Sequence, residues 1–254
     1  MLTVLSPAKK LDFSNRGNPI SGTVPFLFSS TKVLANILKK FSVQELSRLM
    51  GISPQLGKLN FERYQSFDTC SEPISACPAI YAFRGDTYSG LDADSLDTDD
   101  LTFAQEHLCI LSGLYGLLRP YDHIQPYRLD MGIPLINPKG ANLYVFWSDS
   151  ITELLNTMLA EHKERVLINV ASEEYFRAVN LEKIQSRIIH IVFKEKRNGT
   201  LKIIGLLAKR ARGMMARYII KERIDAPESL KDFTDGGYRF MPNDSYSCKW
   251  VFVR

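Results

Sequence analysis

No apolar run in the 254-residue sequence approaches the ~20 residues that a membrane-spanning helix needs. Its longest candidates, residues 188–193 and 203–208, have polar flanks. The start, Met1 to Pro7, has neither the basic opening nor the long apolar stretch and small-residue cleavage site of a signal peptide. A cytoplasmic chain without a membrane partner is the expectation. The four cysteines, Cys70, Cys77, Cys109 and Cys248, contain no C-x-x-C pair, so neither a zinc site nor a disulfide framework is signalled. The four histidines, His107, His123, His162 and His190, are scattered with no H-x-x-x-H, and His190 falls inside an apolar run as a hydrogen-bonded core histidine does. The aspartates between Asp92 and Asp100 lack the turn glycine and closing glutamate of a calcium loop. No metal is assigned. Neither G-x-x-x-x-G-K-[ST] nor G-x-G-x-x-G occurs, which removes the usual nucleotide enzymes, and no cofactor is expected.

What is present is an ordinary globular composition, 45% hydrophobic and 24% charged. A chain of this size buries roughly 70–75% of its unfolded surface and needs no staple to hold a core. Net charge is only +4, but its distribution is uneven. Residues 194–223 carry ten lysines and arginines against Glu195 and Glu222, whereas residues 86–100 carry six aspartates and no cation. The basic block suggests an anionic partner; the acidic one reads as a solvated surface loop.

Short β-like runs recur at Leu2–Leu5, 79–83, 108–111, 166–171, 188–193, 201–207 and Lys249–Val253. Helical spacing fills the gaps at 31–41, at Val43–Met50, and from a cap at Ser148 or Asp149 to about His162. This alternation predicts an α/β fold, a single domain over 1–254 whose mixed sheet is flanked by helices, with both terminal strands in one sheet. The Pro/Gly-rich stretch 119–140 is a long irregular excursion of the kind that carries function.

Lys9 directly follows the first strand, where α/β proteins present ligand-binding groups; it reads as a nucleophile, a phosphate clamp or a solvated turn lysine. Residues 169–175 repeat that layout, with Ser172 as a helix cap and Glu173 as a possible cleft carboxylate. The glycine-punctuated hairpin 111–120 can aim backbone N–H groups at a phosphate beside Arg119. Tyr121, His123, Tyr127, Arg128 and Asp130 then interleave rings and charges, either as a stacking surface or as half-buried tyrosines with Arg128 ion-paired. In the helix over 207–224, an apolar stripe is flanked by Arg210, Arg217 and Lys221 on one side and by Lys209, Arg212 and Arg223 on the other.

Together, Ser-Pro-Ala-Lys-Lys-Leu-Asp-Phe at 6–13, Ala-Phe-Arg-Gly-Asp-Thr-Tyr-Ser-Gly-Leu at 82–91, the stretch 111–132, Asn-Val-Ala-Ser-Glu-Glu-Tyr-Phe at 169–176 and Lys-Arg-Ala-Arg-Gly-Met at 209–214 resemble the YaaA family of bacterial peroxide-stress proteins. The resemblance spans nearly the whole chain. It implies an unusual family-specific α/β fold with a helix-hairpin-helix element, placed here at 111–120, and a positively charged cleft binding duplex or structurally distorted DNA. It also implies a role in limiting unincorporated iron, and hence Fenton damage to DNA. The candidate DNA-binding residues are Lys9, Arg84, Gly113, Gly116, Arg119, Arg128, Lys209, Arg210, Arg212, Arg217 and Lys221, with Lys9, Arg84, Arg128 and Glu173 expected in one cleft. The alternative is an enzyme acting on a nucleotide or nucleic-acid base through Lys9 and a cleft carboxylate. No catalytic residue is assigned and no protein partner is inferable.

Overall fold

Leu2–Leu5 forms strand β1, buried along its whole length, as a short apolar run does when a parallel strand is covered on both faces. The structure, a computed structural model, describes residues 1–14, 22–69 and 76–254; Cys70 lies outside them. After β1 come β2 (Lys10–Leu11) and three helices, α1 (Phe28–Leu38), α2 (Val43–Met50) and α3 (Pro54–Gln65). Next are β3 (Cys77–Pro78), α4 (Ala79–Ala82), β4 (Phe83–Arg84), α5 (Asp86–Leu91) and α6 (Thr98–His107). β5 (Leu108–Ser112) turns back as β6 (Gly116–Leu118), and β7 (His123–Ile124) lies in the long excursion. α7 (Leu143–Ala160), β8 (Val166–Asn169), α8 (Glu173–Phe176) and β9 (Arg187–Arg197) follow. The chain closes with β10 (Thr200–Lys202), α9 (Gly205–Lys221), β11 (Arg239–Phe240) and β12 (Lys249–Val253).

The result is a single mixed α/β domain. Its main sheet runs β11-β12-β9-β8-β1-β5-β6, with β10 paired to β9. The five strands from β12 to β5 are mutually parallel, and β6, β10 and β11 are antiparallel additions. Both terminal strands join this sheet, as expected. β1 and β8 are neighbours, yet the chain leaving β1 returns as β5 on one side and the chain leaving β8 returns as β9 on the other. Strand exits that diverge in this way open a crevice at the carboxyl ends of the strands, where open α/β sheets bind ligands.

Several local expectations are corrected. Of residues 79–83, Ala79–Ala82 are a helical turn and only Phe83 is strand; all four residues of α4 are buried, so their unbroken apolarity could not separate strand from helix. The strand expected over 201–207 stops at Lys202, and Gly205 already begins α9. The helix expected from a cap at Ser148 or Asp149 starts nearly two turns earlier, because Asn142 caps it by accepting from the Val145 amide at 3.0 Å. At 111–120 there is no helix-hairpin-helix: the segment is the β5–β6 hairpin, with residues 111–118 buried throughout. Its glycines answer to packing. A Cβ at Gly113 would lie 2.1 Å from the Leu129 carbonyl, and one on Gly116, at φ +74°, would meet Trp147 and Leu27. Trp147 Nε1 donates to the Gly113 carbonyl at 2.8 Å.

The contact that shapes the site is between α5 and α9. A Cβ on Gly90 would come within 2.1 Å of the Arg210 carbonyl, and one on Gly213 within 1.8 Å of the Thr87 carbonyl. The two backbones touch with no side chain between them, which brings the residues before α5 and the first turns of α9 to the same rim.

Candidate functional site

The crevice at the carboxyl ends of β1 and β8 is a cleft of about 520 Å³. Its floor is tied together by Ser6, whose hydroxyl oxygen accepts from the Ser172 amide at 2.8 Å and lies 3.2 Å from the Ser172 hydroxyl. Tyr88, on α5, donates to the Ser6 carbonyl at 3.1 Å. Ser172 therefore occupies the cap position of α8 without capping it; its hydroxyl bonds Ser6 instead. Cations reach the cleft from three places: Lys9 and Lys10 after β1, Arg84 before α5, and Lys209 and Arg212 on α9. Asp86, Glu173 and Glu174 also line it. Lys10 was not among the expected residues; its adjacency to Lys9 was the available signal.

These cations are not equivalent. Arg84 is held by Asp94 through two hydrogen bonds, at 2.8 and 3.4 Å, and sits 3.9 Å from Asp12. Lys9 Nζ is 3.1 Å from Asp130 Oδ2. Lys209 and Arg212 have no ion-pair or hydrogen-bond partner among the described residues, and Lys10 acts electrostatically on Asp12. Arg212 is half-buried as well, and burial draws its guanidinium below the usual range, though an arginine stays charged. A partly desolvated cation without a counter-charge favours an incoming anion.

Arg128 lies in a small pocket adjoining the cleft, bounded by Lys9, Tyr127, Asp130 and Tyr175. Asp130 is its centre: Lys9 approaches one oxygen, Tyr175 donates to the other at 3.4 Å, and Arg128 Nη2 stands 3.9 Å away. Arg128 Nε is buried with no hydrogen-bond partner among the described residues. Burial pushes the Tyr175 phenol far up, so it remains a donor. Lys9, Arg84 and Glu173 thus line one cleft, and Arg128 meets Lys9 in the pocket beside it.

The remaining candidates are engaged elsewhere. The acidic stretch 86–100, expected as a solvated loop, instead forms α5 and the start of α6 and engages three cations of the basic block, Arg217, Lys221 and Arg223. Arg217 donates to the Leu91 and Asp92 carbonyls at 3.2 and 2.9 Å, closing the end of α5. Lys221 and Arg223 both bond the buried Asp100, at 2.8 and 2.7 Å. Arg119 is bonded to Asp122 and lies over the Phe26 ring, away from the cleft. Gly113 and Gly116 are interior. Arg210 is exposed on α9 and does not line the cleft.

Asp100 gives a direct check on this pairing. Burial would push its carboxyl up, but hydrogen bonds from Lys221, Arg223 and the Asp97 amide outweigh it and hold the group at about 2. A carboxyl depressed on folding adds stability above its unfolded value of about 3.9, and that stability is lost as pH falls toward about 2. The expected result is that Asp100→Asn loses about 2 kcal/mol at neutral pH and flattens the acid limb between pH 4 and 2. Urea unfolding at a series of pH values measures both, and an unchanged acid limb would contradict the assignment.

Among the described residues, no helix is long and apolar enough to cross a membrane. A family model described as "Peroxide stress protein YaaA" matches residues 1–244 of the chain. The chain is 49% identical over 254 residues to a UPF0246 protein of Magnetococcus marinus, covering 100% of this chain and 99% of that one. It is 48% identical over 255 residues to a UPF0246 protein of Legionella pneumophila (strain Corby), with the same coverage of each. A UPF0246 protein of Caulobacter vibrioides is 48% identical over 254 residues, again covering 100% and 99%.

Proposed function

The chain belongs to the peroxide stress protein YaaA family, and we propose that it is a cytoplasmic DNA-binding protein of the peroxide response that limits unincorporated iron and Fenton damage to DNA. One observation carries the DNA reading: five cations from separate segments line a single cleft, and Lys209 and Arg212 among them have no carboxylate partner among the described residues. Such cations bind phosphate without reading base sequence. A cleft of about 520 Å³ has the size of a small-ligand site. It suits a stretch of backbone or an unstacked nucleotide better than a whole duplex, which favours distorted DNA. The test is fluorescence anisotropy of a forked duplex across a salt series. Affinity that falls linearly in log salt supports the reading, and no binding at low salt removes it.

A second reading rests on the side pocket, where Lys9 faces Asp130 at 3.1 Å beside Tyr175 and Arg128. A lysine, a carboxylate and a phenol so placed are the groups an enzyme acting on a nucleotide or nucleic-acid base would use. Turnover of nucleotide or DNA that disappears in Lys9→Ala would favour this reading; salt-dependent binding without turnover favours the binder.

The stress role has its own expected outcome. Deleting the gene should sensitise the host to hydrogen peroxide, most visibly in a strain lacking its main scavenging enzymes, and a cell-permeant iron chelator should relieve the defect. Normal growth of that deletion strain in peroxide would overturn the stress role and leave DNA binding to stand alone.

A further inference from the structure

At the opposite end of β1 from the cleft, the fold gathers His107, His162 and Asp225. One ligand atom from each lies within 4.8 Å of the other two. His107 closes α6 just before β5, His162 follows α7 before β8, and Asp225 follows α9, so three connections converge where the central strands begin. We propose that these three side chains form a binding site for a divalent first-row transition-metal ion such as Zn²⁺ or Co²⁺, separate from the cleft.

The His107 imidazole is oriented as that of a metal-binding histidine is. His107 Nδ1 lies 3.0 Å from the Met1 carbonyl, which as the acceptor of its N–H fixes the tautomer and leaves Nε2 with the lone pair. His162 packs against His107, with ring centroids 4.7 Å apart. His107 is further held by stacking on Phe103, with centroids 3.9 Å apart and the planes within 6°. The His107 ring thus has one nitrogen occupied by backbone and one available.

Asp225 supplies the oxygen. Its Oδ1 accepts from the Met1 nitrogen at 2.8 Å, while Oδ2 has no hydrogen-bond partner among the described residues. Two imidazoles and one carboxylate suit zinc and its first-row neighbours, whereas calcium and magnesium demand all-oxygen shells. The cluster opens onto a groove of about 680 Å³, which leaves room for water to complete the coordination. The groove is lined by the three ligands together with Glu106, Arg119 and Glu161, among others, and shares no residue with the cleft.

The experiment is Co²⁺ titration of chelator-stripped full-length protein followed by visible absorption, with Zn²⁺ as competitor. One equivalent of Co²⁺ should develop d–d bands that Zn²⁺ abolishes. His162→Gln and Asp225→Asn, each checked for folding by circular dichroism, should weaken Co²⁺ binding at least 10-fold. The Lys209→Ala/Arg212→Ala variant should bind Co²⁺ as wild type does, so that failure of the DNA reading and failure of this site are distinguishable. If the ligand variants do not fold, histidine side-chain NMR of the wild type decides: Zn²⁺ should shift the His107 and His162 imidazole resonances and leave those of His123 and His190 in place. Absent d–d bands, undiminished affinity in both folded variants, or shifts confined to the other two histidines would overturn the proposal.

Discussion

Replacing Lys209 and Arg212 together by alanine is expected to weaken binding to forked duplex DNA about 100-fold at low salt and to make the log affinity against log salt plot shallower by about 2 units. The affinity figure follows from two charge-assisted contacts at roughly 1.5 kcal/mol each, the low end for such contacts. The slope follows from the release of about 0.9 counterion per neutralised phosphate. Both residues line the cleft and neither has a partner to lose among the described residues, so folding stability should be nearly unchanged. Arg217→Ala with Lys221→Ala is the informative contrast. Those side chains hold the end of α5 and Asp100, so that variant should lose stability while keeping its salt slope. The reverse pattern would return the phosphate-facing flank to Arg210, Arg217 and Lys221.

That contrast marks where sequence reading stops. Helical spacing assigns the cations to two flanks but carries no information about what each faces; Lys221 and Arg223, assigned to opposite flanks, meet on Asp100, and Arg223 lies beyond the end of α9. The deciding partners, Asp92 and Asp100, lie more than a hundred residues earlier in the chain. The acidic stretch, expected as a solvated loop, is mostly helical, and the backbone contact of Gly90 and Gly213 sets it beside the basic block. Lys9 and Glu173 were legible because each immediately follows a parallel strand, and position at a strand end is a local property. The same locality explains the parallel core, where β1 and β12 matched their expected bounds. The misreadings were also local, at α4 and at the start of α9, where a short buried apolar run has no period to reveal its type. His107, His162 and Asp225 illustrate the remaining case: at separations of more than fifty residues no spacing rule applies, and convergence is visible only in the fold.

Arg119→Ala is expected to cost about 3–5 kcal/mol of stability without changing the salt dependence of DNA binding by the folded protein. Asp122 is wholly buried and accepts from the Arg119 side chain at 2.8 and 3.2 Å, from the Arg119 amide at 2.7 Å and from the Thr23 hydroxyl at 2.7 Å. Truncating the arginine leaves a buried carboxylate without its counter-charge, the most costly way to break such a pair. The pH dependence identifies the cause. Burial already raises the Asp122 carboxyl above its ordinary range, against the opposing hydrogen bonds and charge of Arg119; without Arg119 it should rise further. A carboxyl raised on folding contributes fully below its unfolded value of about 3.9, and the contribution is lost as pH climbs through the folded value. The deficit of the variant should therefore be smallest near pH 4 and widen toward neutrality, as urea unfolding at pH 4.5 and 7.5 would register. If instead Arg119→Ala keeps full stability and makes the salt slope shallower by about 1 unit, Arg119 contacts phosphate and the β5–β6 hairpin takes part in binding DNA.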